Sequence, residues 1–245
     1  MTMKDMGENQ EQQSAEHISV YSVYIYETLL RIWHWLTAAC IVVLALTGYL
    51  IGHPLPSMPG EASDYYVTGT IRTIHFSAAY IMTAALLGRV YGALSGNPQA
   101  RHLFYLPLAN KEWWQGVYFE LRWYMFLEKI PRAHLGHNPL AQLAMVSMFL
   151  TLQVCMIVSG FAMYAEAKGW GSWQHALFGW VITLVGNTDW LHVLHHLGMW
   201  GMVCFVILHV YSATRDDILS NTPLISTMIN GYRTFKDNPF KHKSH

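Results

Sequence analysis

Three long stretches without Asp, Glu, Lys or Arg limit the folds available to this chain. They are residues 32–51, 140–164 and 191–213. Each reaches the roughly 20 residues that an α-helix needs to cross a hydrocarbon core about 30 Å thick. A fourth apolar run, 71–94, holds only Arg72 and Arg89 near its ends, where long side chains can extend to the interface. The sequence therefore predicts an all-α integral membrane protein, a bundle of four spanning helices.

The composition agrees with a membrane protein and excludes nucleic acid as a partner. Hydrophobic residues make up 53% of the chain and charged residues 12%, with a formal net charge of zero. A soluble domain carries about 25% charged residues, and a nucleic-acid-binding domain needs a basic surface. We expect residues 1–20 to form a polar N-terminal tail, 21–219 the membrane domain and 220–245 a C-terminal tail.

Lysine and arginine collect on one side of the predicted bundle. They are Arg101, Lys111, Arg122, Lys129 and Arg132 between the second and third spans, and Arg215, Arg233, Lys236, Lys241 and Lys243 after the fourth. The other side has only Lys168 and, at a span edge, Arg72. Because cytoplasmic loops carry the excess of Lys and Arg, both termini are predicted to face the cytoplasm from the cell inner membrane.

Two shorter segments are apolar or aromatic without being long enough to cross the membrane. Residues 170–185 are interrupted by Gly171 and Gly179, and residues 113–127 mix aromatic side chains with Glu120 and Arg122. Both segments are predicted to lie at the membrane interface, or, for 170–185, to re-enter the membrane.

Histidine is unusually common, with 14 residues against 15 Lys plus Arg. Six of them fall within the predicted spans: His34, His75, His192, His195, His196 and His209. An ionisable residue inside a span is a functional candidate by default because the bilayer penalises it. At about 1.5 Å per residue, His34 and His209 lie roughly 3 and 6 Å inside the cytoplasmic edge, and His75 and His195 roughly 6 Å from the outer edge. The histidines therefore form two pairs matched in depth.

The fourth span supplies one histidine to each pair. His195 and His209 are 14 residues apart, which puts them near the same helix face and about 21 Å apart. His196 points to the opposite face from His209 and is the competitor for His195. His192 lies at the rim of the span, where a hydrogen bond between helices is the ordinary role of a histidine.

Two arginines and two pairs of small residues accompany these histidines. Arg31 and Arg72 each precede a histidine by three residues, so each guanidinium lies on the same helix face and could pair with a haem propionate. Arginines at span ends are also common interface anchors. Thr47-Gly48 and Ser159-Gly160 would allow close approach of a macrocycle or of another helix.

Other metal sites and a transporter fit the sequence less well. His192, His195 and His196 form an HxxHH box similar to that of di-iron fatty-acid desaturases. Those enzymes, however, carry at least three such boxes, clustered on the cytoplasmic side. Here the second candidate is His134-Leu-Gly-His137, across the membrane from it. A proton-coupled transporter would need acidic residues within the spans.

The three cysteines stand alone in apolar runs, which excludes a cysteine cluster and predicts buried small side chains.

Several longer motifs resemble one known family. They are Arg31-Ile-Trp-His-Trp35, Gly48-Tyr-Leu-Ile-Gly-His-Pro-Leu-Pro56, Ile71-Arg-Thr-Ile-His-Phe-Ser77, Gly136-His-Asn-Pro-Leu-Ala-Gln142, Leu197-Gly-Met-Trp200, His209-Val-Tyr211, Arg215-Asp-Asp-Ile218 and Ile225-Ser-Thr-Met-Ile-Asn-Gly-Tyr-Arg233. From about Tyr24 to Phe235 the chain resembles the b-type cytochrome subunit of membrane-bound nickel–iron hydrogenases. The wider group includes the cytochrome b subunit of formate dehydrogenase.

The resemblance implies two b-type haems with histidine ligands. One would lie between His34 and His209 and the other between His75 and His195, with His196 still an alternative to His195. Each ligating imidazole must be neutral, and its other ring nitrogen needs a partner, which we expect to be a backbone carbonyl.

The resemblance also implies the partners and the direction of electron flow. Electrons would arrive from the iron–sulfur small subunit of a periplasmic hydrogenase and leave to a quinone, with the hydrogen chemistry in the partner's large subunit. The alternatives are a cytochrome subunit of another quinone-linked oxidoreductase such as formate dehydrogenase, a free-standing di-haem protein, and a structural anchor that binds no haem.

Overall fold

The computed structural model describes residues 21–56, 66–95, 101, 103–129, 138–220 and 224–235. In chain order the elements are β1 (Tyr21–Tyr24), α1 (Thr28–Gly52), α2 (Val67–Ser95), α3 (Lys111–Tyr124), α4 (Pro139–Lys168), α5 (Trp173–Val185), α6 (Thr188–Ser220), α7 (Leu224–Asn230) and β2 (Tyr232–Phe235). The predicted N-terminal tail, His134, His137 and the chain after Phe235 lie outside the described residues.

Helices α1, α2, α4 and α6 are long and apolar enough to cross a membrane, which confirms the predicted four-helix membrane bundle. Each begins before the apolar run that predicted it and ends after that run. In α6 the helix continues past Ala213 through Arg215 and Asp217. In these added turns Arg215 is buried, and Asp217 accepts a hydrogen bond from the backbone N–H of Ile225.

The four long helices form a closed ring. Helix α1 packs on α2 and on α6, and α4 packs on α6. Aromatic pairs close the ring between α2 and α4, with ring centroids 4.9 Å apart for Phe76 and Tyr164 and 5.2 Å apart for Tyr80 and Phe161. Any ligand held by α1, α2 and α6 is therefore also bordered by α4.

Helix α4 contains a π-helical turn over Met145–Leu150, between α-helical segments at Pro139–Ala144 and Thr151–Lys168. The wider turn carries Phe149, which is buried against Phe205 of α6 at 5.3 Å and Trp33 of α1 at 6.3 Å. Single π-helical turns inside α-helices often occur at functional sites. Here the turn brings an aromatic layer into the centre of the bundle.

A small antiparallel sheet, absent from the all-α prediction, joins the two ends of the described chain. Strands β1 and β2 pair from Tyr21 opposite Phe235 to Tyr24 opposite Tyr232. We call β1, α7 and β2 the terminal latch, and the end of the bundle that carries it the sheet end; the opposite end is the far end. Tyr21 and Phe235, the two ends of the described chain, thus lie at one end of the bundle, and the side of the membrane on which that end lies stays a prediction.

Burial and one glycine hold the latch together. Tyr26 and Arg233 are buried, and burial raises the pKa of Tyr26 to about 12, so its phenol is neutral at physiological pH. Gly231 lies between α7 and β2 with φ of 88° and accepts hydrogen bonds at its carbonyl from the backbone N–H groups of Ile25 and Tyr26. Because φ is positive, glycine is strongly favoured at this turn.

The two short segments predicted at the interface both form helices. Helix α5 packs on α4, with the rings of Phe161 and Phe178 stacked 5.1 Å apart. Helix α3 buries Trp113, Val117 and Trp123. The guanidinium of Arg215 lies 4.3 Å from the Trp123 ring centroid and donates to the backbone carbonyl of Trp123, which ties α3 to the end of α6.

Two expectations about individual residues are wrong. Arg89 does not extend to the interface, because it is 6% exposed and its guanidinium lies over Trp33 at 5.3 Å and Phe104 at 5.5 Å. Of the cysteines only Cys40 is buried; Cys155 and Cys204 are exposed on the outside of the bundle. Apolar surroundings in the sequence do not distinguish a lipid-facing position from a core position in a membrane helix.

Candidate functional site

At the far end, His75 of α2 and His195 of α6 line one cavity of about 940 Å³. All four long helices contribute to its walls, which are mainly aliphatic, aromatic and methionine side chains. The volume lies within the range of about 300–1,000 Å³ that small-molecule and cofactor sites occupy. The structure thus brings together the two histidines that depth and helix face had paired.

Each of these imidazoles is bonded to a hydroxyl from a neighbouring helix. Nδ1 of His75 lies 2.8 Å from Oγ1 of Thr47 in α1, and Nδ1 of His195 lies 2.7 Å from Oγ of Ser159 in α4. A side-chain hydroxyl therefore takes the place of the expected backbone carbonyl at both positions.

The glycine after each hydroxyl receives the edge of the same imidazole. A Cβ atom at Gly48 would lie 3.3 Å from Cε1 of His75, and a Cβ atom at Gly160 would lie 3.2 Å from Cε1 of His195. Both distances are tighter than ordinary contacts. Thr47-Gly48 and Ser159-Gly160, predicted to make room for a macrocycle or a helix, thus contact the candidate ligands themselves.

The three histidines of the HxxHH box make separate contacts. Nδ1 of His192 donates to the carbonyl of Thr188 in its own helix. The His196 ring packs against His53 at 5.6 Å and Trp200 at 6.4 Å. Only His195 among the three has a hydroxyl partner on another helix within the described part of the chain, which favours it over His196 as a ligand.

At the sheet end, the ring centroids of His34 in α1 and His209 in α6 lie 6.3 Å apart. Two metal–imidazole bonds of about 2.0 Å, together with the radius of each ring, add up to a similar length. Phe205 stacks on His209 at 5.8 Å, and Trp35 contacts His34 edge-on at 5.1 Å. The second predicted pair is therefore also brought together by the fold.

The two arginines of the predicted site differ in their surroundings. Arg72 lines the far-end cavity together with His75. Arg31 instead donates to the carbonyl of Ile229 in the terminal latch and to Oγ1 of Thr28. Trp35 Nε1 also donates to the latch, at the carbonyl of Met228. No sequence pattern indicates these latch contacts, which involve residues on both sides of His34 along the chain.

The residues present fit a b-type haem at each end. Nδ1 of His34 is buried without a hydrogen-bond partner among the described residues, and the mainly apolar wall of the far-end cavity includes His75 and His195 among its five histidines. Neutral imidazole nitrogens are the donors that haem iron accepts, and hydrophobic walls suit the macrocycle. His34, His209, His75 and His195 would hold the iron, and Arg72 lies where a carboxylate could bind.

Comparison with known proteins defines the class to which this fold and site belong. A profile of the family described as prokaryotic cytochrome b561 matches residues 25–231. The chain therefore belongs to the prokaryotic cytochrome b561 family, whose members are membrane cytochromes of the b type. The four apolar helices and the paired histidines are features that such a cytochrome needs.

Curated relatives carry a more specific name. The chain is 56% identical over 216 residues to the probable Ni/Fe-hydrogenase B-type cytochrome subunit of Azotobacter chroococcum, covering 88% of this chain and 90% of the relative. It is 51% identical over 218 residues to the protein of that name from Rhodobacter capsulatus, covering 88% and 83%. For the probable Ni/Fe-hydrogenase 1 B-type cytochrome subunit of Escherichia coli K12, the identity is 48% over 232 residues, covering 92% and 96%. The resemblance seen in the sequence motifs is confirmed.

Proposed function

We propose that the chain is the membrane-anchoring di-haem cytochrome b subunit that passes electrons from a periplasmic nickel–iron hydrogenase to the quinone pool. The observation that carries the proposal is the placement of His195 and His209 at opposite ends of α6, each near a histidine of a neighbouring span. The names of the relatives support a hydrogenase as the partner.

In this proposal His75 and His195 hold one haem, and His34 and His209 hold the other. Haem iron, when bound, supplies the reversible one-electron change that an electron carrier needs. The chain itself fixes the imidazoles, excludes water with the apolar walls of the bundle, and offers Arg72 to a propionate at the far end. The role of Arg31 is to hold the latch near His34, which its hydrogen bond to the carbonyl of Ile229 supports.

The distribution of basic residues supports an orientation with the sheet end in the cytoplasm. The far end would then meet the iron–sulfur small subunit of the hydrogenase, and through it the large subunit that performs the hydrogen chemistry. The two ligands on α6 are separated by about 21 Å along the helix, so electrons cross most of the inner membrane within this chain. Quinone would be reduced toward the cytoplasmic side.

Haem quantitation on the purified full-length chain tests the proposal. Reduced-minus-oxidised spectra should show b-type haem, and the haem content should be two per chain. His75→Ala and His195→Ala should each leave one haem, as should His34→Ala and His209→Ala. His196→Ala is the matched control and should retain both haems.

Three outcomes would contradict the assignment: no b-type band, one haem per wild-type chain, or loss of haem in His196→Ala with retention in His195→Ala. The partner is tested separately by affinity purification of the tagged chain from mildly solubilised membranes. An iron–sulfur hydrogenase subunit should copurify with it. A chain that carries two haems but no such partner would support a free-standing di-haem protein instead.

A further inference from the structure

Two hydroxyl groups, that of Thr47 on α1 and that of Ser159 on α4, make the same pair of contacts next to the far-end cavity. Thr47 Oγ1 lies 2.6 Å from the carbonyl oxygen of Val43 and 2.8 Å from Nδ1 of His75. Ser159 Oγ lies 2.6 Å from the carbonyl oxygen of Cys155 and 2.7 Å from Nδ1 of His195. The same arrangement thus occurs twice, on helices distant in sequence.

Counting hydrogens assigns the direction of each bond. Two oxygen atoms 2.6 Å apart require a hydrogen between them. A carbonyl oxygen cannot donate, so the hydroxyl donates its single hydrogen to that carbonyl. The hydroxyl must therefore accept from the imidazole, and Nδ1 of His75 and of His195 must carry a hydrogen. The lone pair of each ring is then on Nε2.

This assignment has a chemical consequence for a metal-binding imidazole. A ring whose Nδ1–H is bonded to an acceptor is fixed in one tautomer and one orientation, and its Nε2 becomes a better electron donor. Stronger donation stabilises ferric over ferrous iron, which lowers a midpoint potential. At the sheet end His34 has no such hydrogen bond, since its Nδ1 is buried without a partner among the described residues.

We propose that Thr47 and Ser159 are positioning residues that hold His75 and His195 in the Nδ1–H tautomer and lower the midpoint potential of the far-end haem. The inference rests on the proposed function, since it concerns the haem assigned to this pair. It adds two residues that are not ligands, and it accounts for the choice of His195 over His196 by a contact that His196 does not make.

The test removes each hydroxyl at nearly constant volume and measures both potentials. Thr47→Val and Ser159→Ala, alone and together, are compared with Thr73→Val and Ser147→Ala. The control residues make the same bond to a carbonyl four residues earlier without contacting an imidazole. Redox titration by visible spectroscopy and EPR of the ferric haems report each haem separately.

We expect both single variants to retain two haems and to raise the potential of one haem only, the one lost in His75→Ala. A tenfold change in the preference for ferric over ferrous iron corresponds to about 59 mV for this one-electron couple. The double variant should shift further than either single one. Thr47→Ser keeps the hydroxyl and should therefore keep the wild-type potential.

Unchanged potentials and EPR spectra in the double variant would overturn the proposal. If Thr47→Val loses a haem, recovery of that haem in Thr47→Ser would still support positioning by the hydroxyl, whereas no recovery would contradict it. The failure of the proposed function would look different, since the wild-type chain would then lack one or both haems. Nitrogen-15 NMR of the haem-free chain, labelled at histidine, reads the tautomers directly and should lose the Nδ1–H signal of His75 in Thr47→Val.

Discussion

At the far end, both imidazoles are bonded to hydroxyl groups of neighbouring helices and lie against glycines, whereas at the sheet end the rings are held by aromatic packing. His75 and His195 each have a hydroxyl partner within 2.8 Å. His209 is stacked on Phe205, and Nδ1 of His34 has no partner within the described part of the chain. The two pairs therefore differ in what fixes the ring before a ligand is present.

The difference indicates that the two ends depend on different parts of the fold. Far-end geometry is set by short contacts between long helices, which are rigid. The sheet-end pair depends on the aromatic layer of Trp33, Phe149 and Phe205. It also depends on the terminal latch, because Arg31 and Trp35 on either side of His34 both donate to latch carbonyls. A perturbation of one end should leave the other unchanged.

The largest effect is expected from filling the space beside His195. In Gly160→Val the Cβ atom would lie 3.2 Å from Cε1 of His195, and the two added methyl groups would displace the ring. We predict loss of one haem per chain, measured by haem quantitation, with the sheet-end haem retained. Gly88→Val is the control, because a Cβ at Gly88 meets nothing within 4 Å. Two haems in Gly160→Val would show that the contact does not constrain the ligand.

The sequence was sufficient for the parts of the site that depend on helix periodicity and hydrophobicity. Three uncharged runs and one run with two arginines predicted the four spans, and the spacing of His195 and His209 predicted two pairs on one side of α6. The sequence pattern indicates Thr47 and Ser159 only as small residues, because a hydroxyl in a span most often bonds its own helix or packs. Their second bond, to an imidazole, depends on the rotation of neighbouring helices, which the sequence of one helix does not define.

The terminal latch was missed for another physical reason. Its strands have four residues each and lie at opposite ends of the described chain. Short strands without a long alternating pattern give no periodic signal, and pairing across such a separation is decided by tertiary structure. Arg89 shows the same limit, since its stacking on Trp33 and Phe104 replaces the solvation that its position near a span end suggested.

A smaller effect, confined to the sheet end, is expected from Gly231→Ala. The new Cβ would lie 2.6 Å from Cε2 of Tyr24 and 2.9 Å from the carbonyl oxygen of Tyr26, at a φ of 88°. Strain of this kind costs about 1–3 kcal/mol and should open the latch. Limited proteolysis should cleave within 224–235 more readily, and the EPR spectrum of the sheet-end haem should change. Gly88→Ala is the control, and a change in the far-end haem would refute the independence of the two ends.

The smallest effect concerns two buried glutamines of α4. They differ in whether the side-chain amide has hydrogen-bond partners. Gln153, at the cavity wall, is 1% exposed, and its Oε1 has no hydrogen-bond partner among the described residues. Gln142 is also buried, but it accepts from Trp113 Nε1 and donates to the carbonyl of Tyr105.

Because an unsatisfied buried acceptor costs free energy, Gln153→Met should be neutral or stabilising by about 1 kcal/mol. Gln142→Met should destabilise by about 1–3 kcal/mol, since it leaves two partners unpaired. Thermal unfolding in detergent measures both changes. Redox titration of Gln153→Met then tests whether the two haems are tuned independently. Unchanged potentials are expected if each pair is controlled only by its own contacts, and a shift of one potential would add Gln153 to the groups that tune that pair.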